Sequence, residues 1–265
     1  MNVISEVLFQ NSERQICSLI PFLTAGYPNL DATIEALHLL DAKGADIIEL
    51  GIPYTDALAD GPVIQQSSQV ALEQGVYIDQ VLQIVNQVQS KISAPLVIFT
   101  YYNPVLVRGI SRFIMELSES GVKGLIIPDL PIEETDYILQ LCKQYNIELI
   151  LFIAPTSSSS RIAYILSKSP GCIYLVSSTG VTGTRNNINS SIYDLSNYIK
   201  SQTQKSVIIG FGISNAEQAR LISNWNIDGI VIGSAFIKIL SQVSSNDLIE
   251  LGDFCESIKL AIKKS

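Results

Sequence analysis

The sequence predicts a (β/α)8 TIM barrel folded as one domain over residues 1–265, and three observations lead there. Eight short β-rich runs recur along the chain with helix-like stretches between them. Several of those runs are continuously apolar, the pattern of strands covered on both faces in a parallel sheet. The two longest irregular segments follow the second and sixth runs, at the strand ends where barrel enzymes build their sites. An extra helix before the first strand and extra helices after the second and eighth complete the expected architecture.

In chain order the strand candidates begin with SLIPFLT from Ser18, followed by the amphipathic stretch Ala32–Lys43. DIIEL from Asp46 leads into PYTDALADGP, an extra helix over Val63–Gln74 and a second helix over Ile78–Lys91. PLVIFTY from Pro95, GLIIP from Gly124 with a helix over Ile132–Tyr145, and IELILFI from Ile147 come next. CIYLVS from Cys172 precedes the polar segment SSTGVTGTRNNINSS, and SVIIGF from Ser206 precedes a helix over Ala216–Asn224. DGIVIG from Asp228 is the eighth strand, with a short helix over Phe236–Leu240 after it.

Composition sets the class of partner. Hydrophobic residues make up 47% and charged residues 16%, enough apolar material for a large single core. Seventeen basic against twenty-five acidic residues give a net charge of −8, which repels nucleic acid and anionic membranes. A phosphate on the substrate must therefore be held by local donors, backbone N–H groups and helix N-termini. No apolar run is long enough to span a bilayer. Cys17, Cys142, Cys172 and Cys255 form no CxxC pair and are expected as buried thiols. The N-terminus has neither signal-peptide nor transit-peptide character, so a soluble protein is expected, in a bacterial cytoplasm or, if plastid-encoded, a plastid stroma.

Glu49 stands at the end of an apolar strand, where an ionised carboxylate costs several kcal/mol unless it is paired or protonated. By strand alternation it shares a face with Ile47, so an inward Ile47 puts Glu49 in the barrel mouth. An apolar mouth would raise its pKa, the condition for a carboxyl that gives and takes a proton near neutrality. Asp60 lies in LADGP, where an Asp before Gly-Pro is equally readable as a turn former and cap for the next helix. Asp56 is as plausible an acid, and spacing does not separate the two.

Glycine motifs follow the last three strands: Gly180-Val-Thr-Gly183, Gly210-Phe-Gly212-Ile-Ser214 and Gly233-Ser234. Glycine lets the backbone approach an anion, and Ser214 and Ser234 precede helical runs with free N–H groups, so the three together predict a phosphate site. Phe22, Tyr101, Ile153 and Phe211 lie at strand ends where they could form an apolar slot. The lone His38 sits inside a helix, no lysine lies within a strand, and there is no metal-ligand cluster. Acid–base chemistry without a cofactor is the expectation. Trp225 precedes the eighth strand at the opposite end and is expected to pack.

IPFLTAGYP, ELGIPYTDALADGPVIQ, YYNPV, PDLPIEE, IAPTSS, YLVSSTGVTGTR, GFGIS and IGSAF occur in the order found in the tryptophan synthase alpha subunit family, which the chain resembles from about residue 18 to beyond 240. The resemblance implies a lyase of tryptophan biosynthesis that splits indole-3-glycerol phosphate into indole and glyceraldehyde 3-phosphate. It implies Glu49 as the acid–base residue, Asp60 as the second catalytic carboxylate and Tyr174 as an active-site tyrosine. Gly183, Gly212, Gly233 and Ser234 match the positions that hold the glycerol phosphate. Indole would pass to a pyridoxal-phosphate-bearing beta subunit in an α2β2 assembly. Tyr27 stands where the family usually has Asp, and Ala57 where it usually has Pro, which leaves the Asp60 loop freer in the open state. Two other readings are an epimerase or indole-glycerol-phosphate synthase, which would want strand-end His and Asp or Lys, and an idle barrel that only activates a partner.

Overall fold

A computed structural model describes residues 2–176, 190–210, 212–242 and 248–263. Helix α1 (Val3–Glu13) leads into β1 (Ser18–Thr24) and α2 (Leu30–Ala42); β2 (Ile48–Gly51) is followed by α3 (Pro62–Glu73) and α4 (Ile78–Val88). After β3 (Leu96–Phe99) come α5 (Tyr102–Arg108) and α6 (Ile110–Glu119); β4 (Gly124–Ile126) precedes a 3-10 turn (Ile132–Glu134) and α7 (Thr135–Gln144). Strands β5 (Glu148–Leu149) and β6 (Leu151–Ile153) precede α8 (Ser159–Lys168), and β7 (Ile173–Val176) precedes α9 (Ser190–Gln202). Then follow β8 (Val207–Gly210), α10 (Ala216–Ser223), β9 (Gly229–Ile232), α11 (Ser234–Leu240) and α12 (Ile249–Ala261).

The pairings between strands are parallel, in the order β5-β4-β3-β2-β1-β9-β8-β7-β6. Because β5 and β6 flank Ile150, this order returns on itself and the sheet is a barrel of the TIM type. The expected fifth strand IELILFI is thus two segments that change partner at Ile150. The lower one pairs with β4 and the upper one with β7. The extra helices before β1, after β2 and after β9 are present, and α5 is a further one that the sequence reading did not separate. Its proline, Pro104, falls in the first helical turn, where a missing N–H costs nothing.

Two apolar clusters show which face of each strand points where. The larger fills the layer between sheet and helices and includes Leu19, Ile48, Ile98, Leu149, Leu151 and Ile153. The smaller fills the barrel interior with Ile20, Phe22, Ile47, Val97, Ile126, Ile150, Cys172, Tyr174, Ile208 and Val231. Ile4 and Leu8 of α1 belong to the interior cluster, so α1 closes the N-terminal end. Small residues make the room: a Cβ at Gly124 would meet Val97 at 2.8 Å and Ile4 at 3.2 Å, and one at Gly229 would meet Leu8 at 3.2 Å. The four cysteines are buried and free, as expected. Trp225 packs edge-on against Tyr193 at 5.7 Å, far from the strand C-termini.

Candidate active site

Strand β2 carries Glu49 in register with Phe22 of β1 and Val97 of β3, both interior residues. Ile47 lies inside, so Glu49 two residues on also faces the interior, near its C-terminal end. The side chain is 1% exposed and its Oε1 has no hydrogen-bond partner among the described residues. Burial without a compensating charge pushes its pKa up to about 8. A protonated carboxyl at neutral pH, with one oxygen unengaged, is the state that can deliver a proton.

The two acids of the following loop are separated by their surroundings. Asp56 is exposed. Asp60 is half-buried, and it does not cap α3: Gly61 is the N-cap residue, with no side-chain bond to the helix. Its Oδ2 instead accepts from the Tyr101 hydroxyl at 2.9 Å. Burial raises its pKa to about 6 while the Tyr101 hydrogen bond pulls it down, so at pH 7 most of it is ionised. Ala57 is buried, and the loop after it is tied by side-chain bonds in spite of the missing proline. Tyr27 packs against both apolar clusters.

Tyr174 of β7 faces the interior, 8% exposed, with its ring 4.8 Å from Phe152. Burial raises the pKa of its hydroxyl, and the charges of Glu49 and Asp60 raise it further. Gly210 makes room for that hydroxyl, since a Cβ there would lie 2.4 Å from it. Gly51 does the same for Phe22, whose ring a Cβ would meet at 2.6 Å. Phe22, Phe99 and Tyr101 follow one another edge to face at 5.7 and 6.1 Å, with Tyr54 tilted on Tyr101 at 5.2 Å. This is an aromatic wall beside Glu49.

One expected wall residue points elsewhere. Ile153 packs in the outer layer between sheet and helices, and its neighbour Phe152 faces the interior in its place. The reason is strand parity: Ile150 faces inward, so Phe152 does and Ile153 does not. Phe99, Phe152, Tyr54 and Gln65 were absent from the sequence reading. A cavity of about 500 Å3 lies under the loops after β4 and β6, with Ile127, Ile150 and Phe152 in its lining.

On the far rim, Gly212 adopts φ +50° after β8, and Gly233 N-caps α11, whose first turn has no side-chain cap among the described residues. The start of α10 is different from expectation. Asn215 caps it by accepting from Gln218 N–H at 2.9 Å, and Ser214 N–H and Oγ both donate to Gln218 Oε1, so Ser214 offers no free donors. Gly183 and Phe211 lie outside the described residues. No group of three or more His, Cys, Asp or Glu able to hold a metal occurs among the described residues, and none of their helices is long and apolar enough to cross a membrane.

The family model described as tryptophan synthase alpha chain matches residues 9–263. A tryptophan synthase alpha chain of Gracilaria tenuistipitata var. liui is 60% identical over 99% of this chain and 97% of its own. That of Acaryochloris marina is 46% identical over 99% and 98%. Among solved structures, tryptophan synthase of Mycobacterium tuberculosis superposes with a TM-score of 0.92 at 30% identity, covering 100% and 99% of the two chains. The alpha subunit of Legionella pneumophila superposes at 0.89 with 29% identity over 99% and 98%.

Proposed function

The chain belongs to the tryptophan synthase alpha chain family, and from that premise we propose that it cleaves indole-3-glycerol phosphate with Glu49 and Asp60 in the leading roles. The observation that carries the assignment is the buried Glu49 Oε1, without a hydrogen-bond partner among the described residues, beside the aromatic wall that runs from Phe22 through Phe99 to Tyr101 and its bond to the Asp60 carboxylate.

Neutral Glu49 gives its proton to C3 of the indole ring, and positive charge appears on the ring nitrogen. Asp60, ionised, accepts from the indole N–H and stabilises that charge. The Glu49 carboxylate then takes the proton of the adjacent chain hydroxyl. The C–C bond breaks, its electron pair returns to the ring, and indole leaves beside glyceraldehyde 3-phosphate. Glu49 ends as it began, protonated, so a group whose pKa lies near working pH suits both steps.

The glycerol phosphate is held at the rim by Gly212, Gly233 and Ser234, with Gly183 from the sixth-strand loop. Phe22 and Tyr101, with Phe99 and Phe152, line the indole slot, and Phe211 joins them on the strength of its strand-end position in the sequence. No cofactor is needed in this subunit; pyridoxal phosphate belongs to the beta subunit that receives indole. An α2β2 assembly seated on the barrel mouth is supported by exposed apolar residues there: Leu58 after β2 is 90% exposed and Val107 in α5 is 81% exposed. Relatives in Gracilaria and Acaryochloris support a plastid stroma or bacterial cytoplasm as the place of work.

Indole release from indole-3-glycerol phosphate is measured for wild type and Glu49→Gln, with and without beta subunit. Glu49→Gln lowers kcat/KM by at least about 100-fold, the usual worth of a positioned acid–base group. Equal rates for the two proteins overturn the role of Glu49.

A further inference from the structure

Asp60 is held by two side chains that reach its loop from opposite sides. The Tyr101 hydroxyl donates to Asp60 Oδ2 at 2.9 Å and accepts from Ala59 N–H at 3.1 Å, so one hydroxyl is fixed as both donor and acceptor. From α3, Gln65 Nε2 donates to the carbonyls of Ala57 and Asp60, both at 3.0 Å. Each support is anchored in turn. The seat of α3 is set by a buried 2.6 Å hydrogen bond between Thr24 and Ser67, with Ser67 bonded to the Ile64 carbonyl at 2.8 Å. Tyr101 N-caps α5, and the next N–H, that of Tyr102, donates to Asp129 Oδ1 at 2.8 Å.

We propose that Tyr101 and Gln65 are positioning residues for the cleavage, a frame that aims the Asp60 carboxylate at the ring nitrogen and keeps it an acceptor. The inference rests on the role given to Asp60 above and adds to the place of the Tyr101 ring in the aromatic wall a role carried by its hydroxyl. Around Asp60 the titratable groups among the described residues are Tyr101 from the β3–α5 connection, Tyr174 from β7 and Glu49 from β2, with Tyr54 and Asp129 flanking Tyr101. None of them is a cation. Among the described residues the Tyr101 hydrogen bond is what offsets the burial of Asp60. Gln65 fixes the loop backbone, supplying by hydrogen bonds some of the restraint that a proline at residue 57 would have supplied through its ring.

Two variants separate the two halves of the frame. Tyr101→Phe keeps the ring and removes the hydroxyl; the acidic limb of the kcat/KM profile is expected to rise by about one pH unit, with kcat down by about 10-fold or more at pH 7. Gln65→Met keeps the length and removes both donors; kcat is expected to fall by about 10-fold with KM and the acidic limb little changed. A wall role alone for Tyr101 would leave the limb in place and move KM. Titration of the 13C-labelled Asp60 carboxyl by NMR, in wild type and Tyr101→Phe, gives the same answer without substrate. An unmoved limb and an unmoved Asp60 titration in Tyr101→Phe overturn the proposal. A moved Asp60 titration with Asp60→Asn as active as wild type upholds the bond but sinks the reading of Asp60, and with it the positioning role.

Discussion

At pH 7 the two acids in the mouth are in opposite states: burial dominates at Glu49, and at Asp60 a hydrogen bond offsets part of it. Glu49 keeps its proton because its pKa is near 8, and Asp60 has lost most of its own because the Tyr101 hydroxyl holds it near 6. The proposed cleavage needs that combination, so kcat/KM is expected to be bell-shaped with limbs near 6 and 8. Ionisation of the substrate phosphate could also give an acidic limb, and Asp60→Asn tells the two apart: the limb disappears only if it belongs to Asp60. The raised Glu49 pKa has a cost in stability as well. Between its ordinary 4.5 and about 8 the native state binds a proton that the unfolded chain has released, so this contribution is full below 4.5 and is lost as pH rises through 8. Glu49→Gln cannot ionise; its unfolding free energy should match wild type near pH 4 and exceed it by roughly 3–5 kcal/mol at pH 9, at about 1.4 kcal/mol per pKa unit. Urea titrations at the two pH values check this, and a gap that fails to widen with pH removes the raised pKa. Glu49 was legible in the sequence because one charged residue in an apolar strand reveals its own face. Phe152 was not, since in IELILFI both faces of the upper strand are apolar and alternation is silent. Asp60 and Asp56 differ only in what the fold brings to them, and Tyr101 is 41 residues away from Asp60.

At the scale of elements, the strands were legible because buried parallel strands write themselves as apolar runs, and the helices because their gaps carry a 3.6-residue period. What the pattern could not show is a change of partner within a run. Strand IELILFI passes from β4 to β7 at Ile150 with no change in composition. Helix α1 was expected only as an added piece, yet its polar residues reach three buried or half-buried carboxylates at the N-terminal rim, of which Asp46 is also paired with Lys259 and Asp228 with Lys200. Ser5 N–H and Oγ donate to Glu148 at 3.1 and 2.7 Å, Asn11 donates to Asp46 at 2.9 Å, and Ser12 donates to Asp228 at 3.0 Å. Glu148 also accepts from Cys172 N–H at 2.7 Å, joining α1 to the foot of β7. Gly171 lies close enough that a Cβ would stand 2.0 Å from Glu148 Oε1. Removing the carboxylate strands buried donors, so Glu148→Ala is expected to cost about 3 kcal/mol or more, while Ser5→Ala costs about 1 kcal/mol. A urea midpoint for Glu148→Ala unchanged from wild type would falsify the view that this carboxylate holds the plug.

Taken as a whole, the barrel has two unlike ends. At the N-terminal end the polar groups are paired and α1 seals the interior, which fits an end devoted to stability. Among the described residues the C-terminal end keeps a carboxyl oxygen without a partner, a helix start without a side-chain cap and apolar side chains in water. Leu58 and Val107 extend from elements following β2 and β3, the strands that lead to Asp60 and Tyr101. A beta subunit seated over them would bury their apolar surface and press on the loop that carries Asp60. Replacing them should therefore separate docking from chemistry. Leu58→Asp and Val107→Asp, alone and together, are expected to weaken association with the beta subunit by at least about 10-fold for the pair, since a carboxylate must then be desolvated in the interface. Sedimentation velocity measures the assembly. Unassisted indole release by the double variant, assayed without beta subunit, should stay within about 2-fold of wild type, because neither side chain touches Glu49 or Asp60 and exposed substitutions change little else. Undiminished association would move the docking surface off this rim, whereas a collapse of the unassisted rate would place Leu58 or Val107 inside the catalytic machinery.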